Sequence, residues 1–216
     1  AMSFTLNGAT RVHFIVGDPI AQVKSPAGVT QAFQERGHNA MVAPAHVSTA
    51  DLAAWVEGVS RSRNVDGIIV TVPHKFACRP LCATVSDRAR FLDTVNTMRR
   101  NADGRWHGDM FDGLGFVRAL QERGGQLQGR RALLVGAGGA GSAIAHALVE
   151  SGVSLLAVHD PDAQRREALV SRLAGLGRAP VENGTADPTG FDVVVNASPV
   201  GMREGDPLPV EVARLT

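Results

Sequence analysis

A group of glycines in the second half of the chain forms the pattern best suited to binding a ligand. Gly136, Gly138 and Gly141 have G-x-G-x-x-G spacing, directly after a predicted strand and directly before a predicted helix. Such glycines allow a tight turn and a close approach to the backbone, and a helix N-terminus attracts a pyrophosphate. The sequence therefore predicts a dinucleotide site. The loop of this site comprises Gly136, Ala137, Gly138, Gly139, Ala140 and Gly141.

An acidic residue follows this loop at the distance typical of a ribose contact. Asp160 ends the next apolar run, nineteen residues after Gly141. A carboxylate there accepts hydrogen bonds from an adenosine ribose, and at short range it repels the 2′-phosphate of NADP. We expect NAD as the cofactor, with NADP as the alternative because Arg165 and Arg166 follow closely. A structural interpretation stays open, in which the glycines only close a turn and Asp160 caps the next helix.

Hydride transfer to a nicotinamide from an alcohol also requires a group that takes the hydroxyl proton. The first half of the chain and its junction with the second offer the candidates His74, Lys75, Asp93, Asp109 and Asp112. Lys75 directly follows an apolar run, and ligands of open α/β sheets bind at the carboxyl ends of strands. Asp112 lies where the two halves meet. The pattern alone leaves open that Lys75 is a surface lysine and Asp112 a helix N-cap.

The composition excludes several other classes of protein. Of the 216 residues 44% are hydrophobic and 20% are charged, and the net charge of +1 favours neither a nucleic-acid nor a membrane partner. No apolar run approaches the ~20 residues of a membrane span. Cys78 and Cys82 fit two half-buried thiols in a reducing cytosol better than a metal or redox site. We expect a cytoplasmic protein that uses no metal and acts on a small molecule.

Strand-like and helix-like segments alternate along the chain, which predicts an α/β fold. Strands are predicted at 11–17, 39–47, 65–73, 131–135, 153–159 and 191–195. Helices are predicted at 27–37, 49–61 (with Ser48 or Thr49 as its cap), from 74 to about 90, and at 112–125, 139–151 and 162–175. The NADG sequence at 101–104 predicts a hairpin turn. We expect two α/β units joined through the 112–125 helix: a substrate-binding catalytic domain at 1–110 and a Rossmann-like dinucleotide-binding domain with a parallel, doubly wound sheet at 111–216.

Six separated segments resemble motifs of the shikimate and quinate dehydrogenases, and they occur in that family's order. They are GDPIAQVKSP (17–26), GIIVTVPHK (67–75), DTVNT (93–97), GDMFDGLGF (108–116), GAGGAGSA (136–143) and VVNASPVGM (194–202). The resemblance implies hydride transfer between NAD or NADP and shikimate, quinate or a close cyclic hydroxy acid. We expect the protein to be a monomer or a homodimer.

The same resemblance implies roles for the matching residues. Lys75 would be the catalytic lysine and Asp112 its partner acid, together exchanging a proton with the substrate hydroxyl. Thr71 and Asn96 would bind the ring hydroxyls, and Ser25 the substrate carboxylate. The residues that would line the cofactor site, besides the glycine loop, are Asn196, Ala197 and Ser198.

The chain departs from the family pattern at several positions. Val23 replaces a carboxylate-binding serine, and Met110 with Phe111 replaces an Asn-Thr pair near the ring. The sequence HDP at 159–161 replaces an NADP-reading Asn-Arg-Thr, which again favours NAD. The sequence ends before the C-terminal helices that the family normally adds. A weakly active or non-catalytic ligand-binding homologue is the alternative, and a methylene-tetrahydrofolate dehydrogenase-like activity explains the carboxylate loop less well.

Overall fold

The structure is a computed structural model that describes residues 6–215, and the chain forms two compact units that meet in sequence between Met110 and Phe111. The elements of the first unit are β1 (Arg11–Gly17), α1 (Ser25–Glu35), β2 (Ala40–His46), α2 (Leu52–Ser60), β3 (Val65–Val70), α3 (Lys75–Cys78), a 3-10 turn (Arg79–Leu81), β4 (Thr84–Val85), α4 (Asp87–Leu92), β5 (Thr97–Arg100) and β6 (Trp106–Asp109). Those of the second unit are α5 (Asp112–Glu122), β7 (Arg131–Val135), α6 (Gly139–Glu150), β8 (Leu155–His159), α7 (Ala163–Ala174), β9 (Val181–Asn183), β10 (Val193–Asn196) and a 3-10 turn (Val212–Arg214).

The sheet of the first unit is mixed, with the strand order β2-β1-β3-β5-β6-β4. β1 pairs in parallel with β2 and β3, and β4 pairs in parallel with β6. β5 runs antiparallel to both β3 and β6. The carboxyl ends of β1, β2, β3 and β6 and the amino end of β5 therefore lie along one edge of the sheet, which we call the upper edge.

The core of the first unit combines apolar side chains from the central strands with others from α2 and α4. The almost fully buried members include Ile15, Val16, Ile68, Val70 and Met98. β2 is an edge strand, and Pro44 lies within it opposite Ile15. β3 is a buried apolar strand, as predicted, but only one of its two neighbours is parallel.

Two predictions for the first unit are wrong in detail. The helix predicted from 74 to about 90 is interrupted, because Thr84 and Val85 form β4 with His107 and Gly108. The second predicted helix begins at Leu52 rather than at 49. In that turn the Ser48 hydroxyl accepts a hydrogen bond from the Asp51 N–H at 3.2 Å, so Ser48 organises the turn before the helix.

The second unit contains a fully parallel sheet with the order β10-β7-β8-β9, which confirms the predicted fold class. Its buried centre includes Leu133, Leu134, Leu148 and Leu156. β9 was not expected from the sequence, since its three residues carry too few apolar side chains to form a recognisable pattern. Among residues 6–215, no helix has the length and apolar character needed to cross a membrane.

Candidate active site

Three of the residues singled out in the first unit lie along the upper edge of its sheet. Thr71 follows β3, and its N–H donates to the carbonyl of Val16 at 3.0 Å. The carbonyl of Asn96, which precedes β5, accepts from the Val70 N–H at 2.7 Å. The carbonyl of Lys75 accepts from the Val95 N–H at 3.0 Å. These main-chain bonds bring Thr71, Lys75 and Asn96 to one place although they are far apart in sequence.

The end of β1 completes this edge. A Cβ atom on Gly17 would lie 2.5 Å from Cγ2 of Thr71 and 2.9 Å from the carbonyl oxygen of Val72, so only glycine fits there. The chain then continues through a cis Asp18-Pro19 bond to Ser25, which is half-buried and begins α1. Gly17 was not among the site residues predicted from the sequence. A signal was present, since it opens the GDP sequence beside a strand end.

Two of the other proton-transfer candidates have structural roles. His74 is fully buried, and its Nε2 lies 2.7 Å from the carbonyl oxygen of Val47. A ring nitrogen that faces a carbonyl must donate, which fixes the proton on Nε2. Asp93 is exposed, ends α4 in a left-handed conformation (φ 56°) and pairs with Arg79 at 3.3 Å. Neither residue therefore competes with Lys75 as a candidate.

The Asp109 carboxylate is likewise engaged. It accepts hydrogen bonds from the Ser86 hydroxyl, from Nη2 of Arg88 at 2.7 Å and from the Met110 N–H at 2.7 Å. Burial opposes ionisation of Asp109, but these hydrogen bonds outweigh it and lower its pKa. Its main-chain carbonyl also accepts from the Asn96 N–H at 2.9 Å. Asp109 thus helps to hold Asn96 in place, a role that the sequence did not reveal.

In the second unit the glycine loop has the geometry that a dinucleotide requires. Gly136 has φ 103°, and a Cβ on it would lie 2.7 Å from the Ser198 nitrogen. A Cβ on Gly141 would lie 1.9 Å from the carbonyl oxygen of Gly136. Gly138, by contrast, has no heavy atom within 4 Å of its Cβ position, and α6 starts at the next residue. The first and third glycines therefore close the turn, while the second leaves open space at a helix N-terminus for a pyrophosphate.

Asp160 is only 5% exposed and lies at the end of β8. Its Oδ2 accepts from the Ala137 N–H at 2.7 Å, and its Oδ1 accepts from the Asp162 N–H at 2.9 Å. The expected alternative role as the cap of the next helix belongs to Asp162, whose side chain accepts from the Arg165 N–H at 3.0 Å. Asp160 therefore braces the glycine loop, and each carboxylate oxygen keeps a lone pair for a ribose hydroxyl.

The residues after β10 form a compact turn against the glycine loop. Oδ1 of Asn196 accepts hydrogen bonds from both the N–H and the hydroxyl of Ser198, at 3.0 and 2.6 Å. Its Nδ2 donates to the carbonyl of Val200 at 2.9 Å. Ala197 packs its backbone against Gly136. The side chains of Asn196 and Ser198 thus shape the turn, and the backbone of the turn forms one wall of the glycine loop.

Asp112 lies at the start of α5, next to one of the departures from the family pattern, Met110 with Phe111. Asp112 is the first residue of α5, and a Cβ on the adjacent Gly113 would lie 2.1 Å from the carbonyl oxygen of Ala143 in α6. This close approach fixes α5 on the helix that follows the glycine loop. Met110 is only 1% exposed, so its side chain belongs to the core and does not face a ligand, although its motif position suggested that it would. Phe111 is 44% exposed.

Among residues 6–215 there is no group of three or more His, Cys, Asp or Glu side chains arranged to hold a metal ion. Apart from this, the described residues offer a lysine near Thr71 and Asn96 in the first unit and a glycine loop at a helix N-terminus in the second.

Comparisons with known proteins agree with this arrangement. Residues 15–98 match the shikimate dehydrogenase substrate binding domain. A shikimate dehydrogenase (NADP(+)) of Rubrobacter xylanophilus is 36% identical over 208 residues, which cover 94% of this chain and 73% of the relative. The crystal structure of shikimate dehydrogenase from Aquifex aeolicus is 26% identical with a TM-score of 0.88, covering 98% of this chain and 77% of that one.

Quinate dehydrogenase from Corynebacterium glutamicum, solved in complex with NAD, is 30% identical with a TM-score of 0.84, covering 96% of this chain and 77% of that one. These similarities extend over both units, and the resemblance seen in the sequence motifs is confirmed. The chain belongs to the shikimate dehydrogenase family.

Proposed function

We propose that the protein is an oxidoreductase that transfers a hydride between a nicotinamide dinucleotide and shikimate, quinate or a close cyclic hydroxy acid. Family membership supports the reaction class. The observation that carries the proposal is the meeting of Thr71, Lys75 and Asn96 at one sheet edge of a unit that belongs to this family. The first unit would bind the substrate, and the second would bind the cofactor.

Lys75 and Asp112 would carry the proton transfer. The nicotinamide, when bound, supplies the hydride acceptor or donor. Lys75 would take the proton from the substrate hydroxyl during oxidation and return it during reduction, and Asp112 would stabilise the charged form of the lysine. Thr71 and Asn96 would orient the ring hydroxyls, and Ser25 would donate to the carboxylate.

The cofactor preference follows from the charge at Asp160. The relatives described above include an enzyme named for NADP(+) and one solved with NAD, so the family alone allows both. Asp160 is held against the glycine loop by the Ala137 N–H, so its negative charge lies next to the proposed pyrophosphate and ribose positions. We propose that NAD is preferred, because a 2′-phosphate would meet this carboxylate.

We also propose that the protein works in the cytoplasm, as a monomer or a homodimer. Cys78 and Cys82 are free thiols in the structure, which supports a reducing compartment. Light scattering after gel filtration of the purified chain measures the oligomeric state, and a mass above that of a dimer would contradict this proposal.

A steady-state assay of the purified protein tests the main proposal. NAD and NADP are each supplied with shikimate and with quinate, and reduction of the nicotinamide is followed by absorbance. Turnover of at least one acid with NAD, at a higher kcat/KM than with NADP, is expected. If neither acid is oxidised with either cofactor, shikimate and quinate are excluded as substrates, and cofactor binding without turnover would favour the weakly active homologue.

The variant Lys75→Ala tests the proposed proton transfer. We expect kcat to fall by at least about 100-fold, since positioned acid–base groups contribute factors of this size, while the Kd for NAD is nearly unchanged. Arg36→Ala is the control, because it removes an exposed cation at the end of α1 in the same unit. A loss of NAD affinity as large as the loss of kcat would mean that Lys75 supports the fold and not the reaction.

A further inference from the structure

A recess lies on the opposite edge of the first unit's sheet. It encloses about 770 Å³ between the end of α2, the 3-10 turn and the hairpin that joins β5 to β6. Its walls include Arg11, Val65 and Trp106, which begin β1, β3 and β6, and Arg100, which ends β5. These positions are at the far ends of the strands that carry Thr71 and Asn96. The recess is therefore separate from the candidate active site.

The charged residues of this recess do not balance. Four arginines line it, Arg11, Arg63, Arg100 and Arg105, but only two carboxylates, Asp66 and Asp103. Arg11 pairs with Asp66, and Arg105 pairs with Asp103 at 2.8 Å. Two guanidinium groups are left without a carboxylate. The recess carries an excess of two positive charges in a chain whose net charge is only +1.

Arg100 is one of these two cations: within residues 6–215 it makes no direct ion pair, Asp66 attracts it only at longer range, and its position is fixed. The guanidinium lies 4.1 Å above the Trp106 ring and donates to main-chain carbonyls, at 3.0 Å to Val65 and at 2.7 Å to Gly104. Burial lowers the pKa of Arg100, which is the expected effect of removing a cation from water. An anion placed in the recess would compensate this charge.

Arg63 is the second cation of the recess without a direct carboxylate partner among residues 6–215, and its donors are available. Within residues 6–215 its side chain makes no ion pair or hydrogen bond, although its main-chain carbonyl accepts from Arg11 at 2.8 Å. A guanidinium presents a planar fork of N–H donors that matches the oxygens of a phosphate. Pro80, Leu81 and Ala83 add an apolar wall beside these cations.

We propose that this recess binds a small phosphate monoester, with the phosphate between Arg63 and Arg100 and the organic part against the apolar wall. A dianion matches the excess charge of the site, and bidentate hydrogen bonds from Arg63 would orient it. The proposal does not depend on the function proposed for the upper edge. The Asp66 and Asp103 carboxylates remain occupied by Arg11 and Arg105 and so do not take the donors of Arg63.

Tryptophan fluorescence offers a local test, because the chain contains two tryptophans and both, Trp55 and Trp106, lie in the first unit. In the variant Trp55→Phe, only Trp106 emits, and it lies in the recess. Phenyl phosphate is titrated at constant ionic strength, with benzoate as the monoanionic comparison. We expect a saturable change in the Trp106 emission, with binding of benzoate weaker by about tenfold or more, as for the loss of a charged hydrogen bond.

Two further variants in the Trp55→Phe background separate the proposed site from general charge. Arg63→Ala should weaken phenyl phosphate binding by about tenfold or more. Arg61→Ala is the matched control, since it removes an exposed cation two residues away that pairs with Glu57 outside the recess, and it should leave binding unchanged. No saturable change, equal binding after Arg63→Ala, or an equal loss in Arg61→Ala would each overturn the proposal.

Discussion

At the scale of single residues, the carboxylate of Asp160 has one observed structural role and one proposed role in cofactor binding. It anchors the Ala137 N–H of the glycine loop, and its charge lies where the cofactor ribose is proposed to bind. An arginine, the residue that the family pattern has at this position, could not repeat the hydrogen bonds to Ala137 and Asp162, because it has no acceptor. The glycine loop of this chain therefore depends on hydrogen bonds that require an acceptor side chain at position 160, whichever cofactor binds.

The variant Asp160→Asn separates the charge of this side chain from its shape. The amide has one acceptor oxygen and so keeps only one of the two main-chain hydrogen bonds, which should cost about 1–3 kcal/mol of unfolding free energy. Removing the charge should also raise the ratio of kcat/KM with NADP to kcat/KM with NAD. Urea unfolding and paired steady-state assays measure the two effects, and an unchanged ratio would remove Asp160 from the ribose site.

Asp93 has a left-handed backbone conformation that is unfavourable for a residue with a side chain. It is the non-glycine residue with positive φ among the described residues, and it ends α4 at a position where glycine is the usual C-cap. We expect Asp93→Gly to stabilise the protein by about 0.5–1 kcal/mol, because the exposed pair with Arg79 contributes little. Asp87→Gly, in the first turn of the same helix, is the control and should destabilise by a similar amount. A lower urea midpoint for Asp93→Gly would contradict this account.

Residue roles were predictable where several local signals coincide, as in the glycine loop. They were not predictable where the partner is distant in sequence. His74 adjoins Lys75 and carries a suitable side chain, but its bond partner Val47 is 27 residues away. The Asp109 partners Ser86 and Arg88 lie on another element, and nothing in the local sequence indicates that they meet.

At the scale of secondary-structure elements, Gly138 and Gly141 of the turn between β7 and α6 have different surroundings. We expect Gly138→Ala to leave the unfolding free energy nearly unchanged, because its Cβ would meet no heavy atom within 4 Å. The same variant should weaken NAD binding, because the added methyl group would occupy the space proposed for the pyrophosphate. Gly141→Ala should weaken both, because its Cβ would overlap the Gly136 carbonyl at 1.9 Å.

Thermal unfolding with and without NAD distinguishes these outcomes. The Gly138→Ala protein should unfold at the wild-type temperature and gain less stability from NAD, because the stabilisation by a ligand grows with the logarithm of one plus the ratio of its concentration to its Kd. A Gly138→Ala protein with full stabilisation by NAD would mean that the loop is a structural turn only.

Long, strongly patterned elements were predictable, and short ones were not. β7, α6 and β8 carry enough apolar residues to define a strand or helix period. β4 has two residues and exists only because it pairs with β6. The antiparallel direction of β5 follows from the hairpin that joins it to β6, which the NADG turn predicted. No feature of the sequence indicated the parallel pairing of β4 with β6.

At the scale of the whole molecule, the response to alkaline pH is set by few groups. The chain has no tyrosine, and its two lysines are Lys24 and Lys75. Burial raises the pKa of Cys78 to about 12 and that of Cys82 to about 11, from an ordinary value of 9.0. The unfolded chain therefore loses these thiol protons at a lower pH than the folded chain.

Because the unfolded state binds fewer protons above about pH 9, the unfolding free energy should fall as the pH rises from there toward the folded pKa values. The limit is about 1.4 kcal/mol per pH unit for each thiol. Urea unfolding between pH 8 and pH 10.5 (roughly this window) measures the slope. The double variant Cys78→Ala/Cys82→Ala should be less stable at every pH but should lose most of the slope, and an unchanged slope would assign it to other groups.

The outer edge of strand β2 affects whether separate molecules can pair strand to strand at high concentration. The Val42 N–H donates to the Thr30 hydroxyl at 2.9 Å, away from β1, and Pro44, two residues further, points the same way. Proline has no N–H to offer, so this border of the sheet lacks the regular row of donors that an incoming strand would need. Fibril-like stacking of chains through β2 is therefore disfavoured by a single imino acid and one threonine hydroxyl.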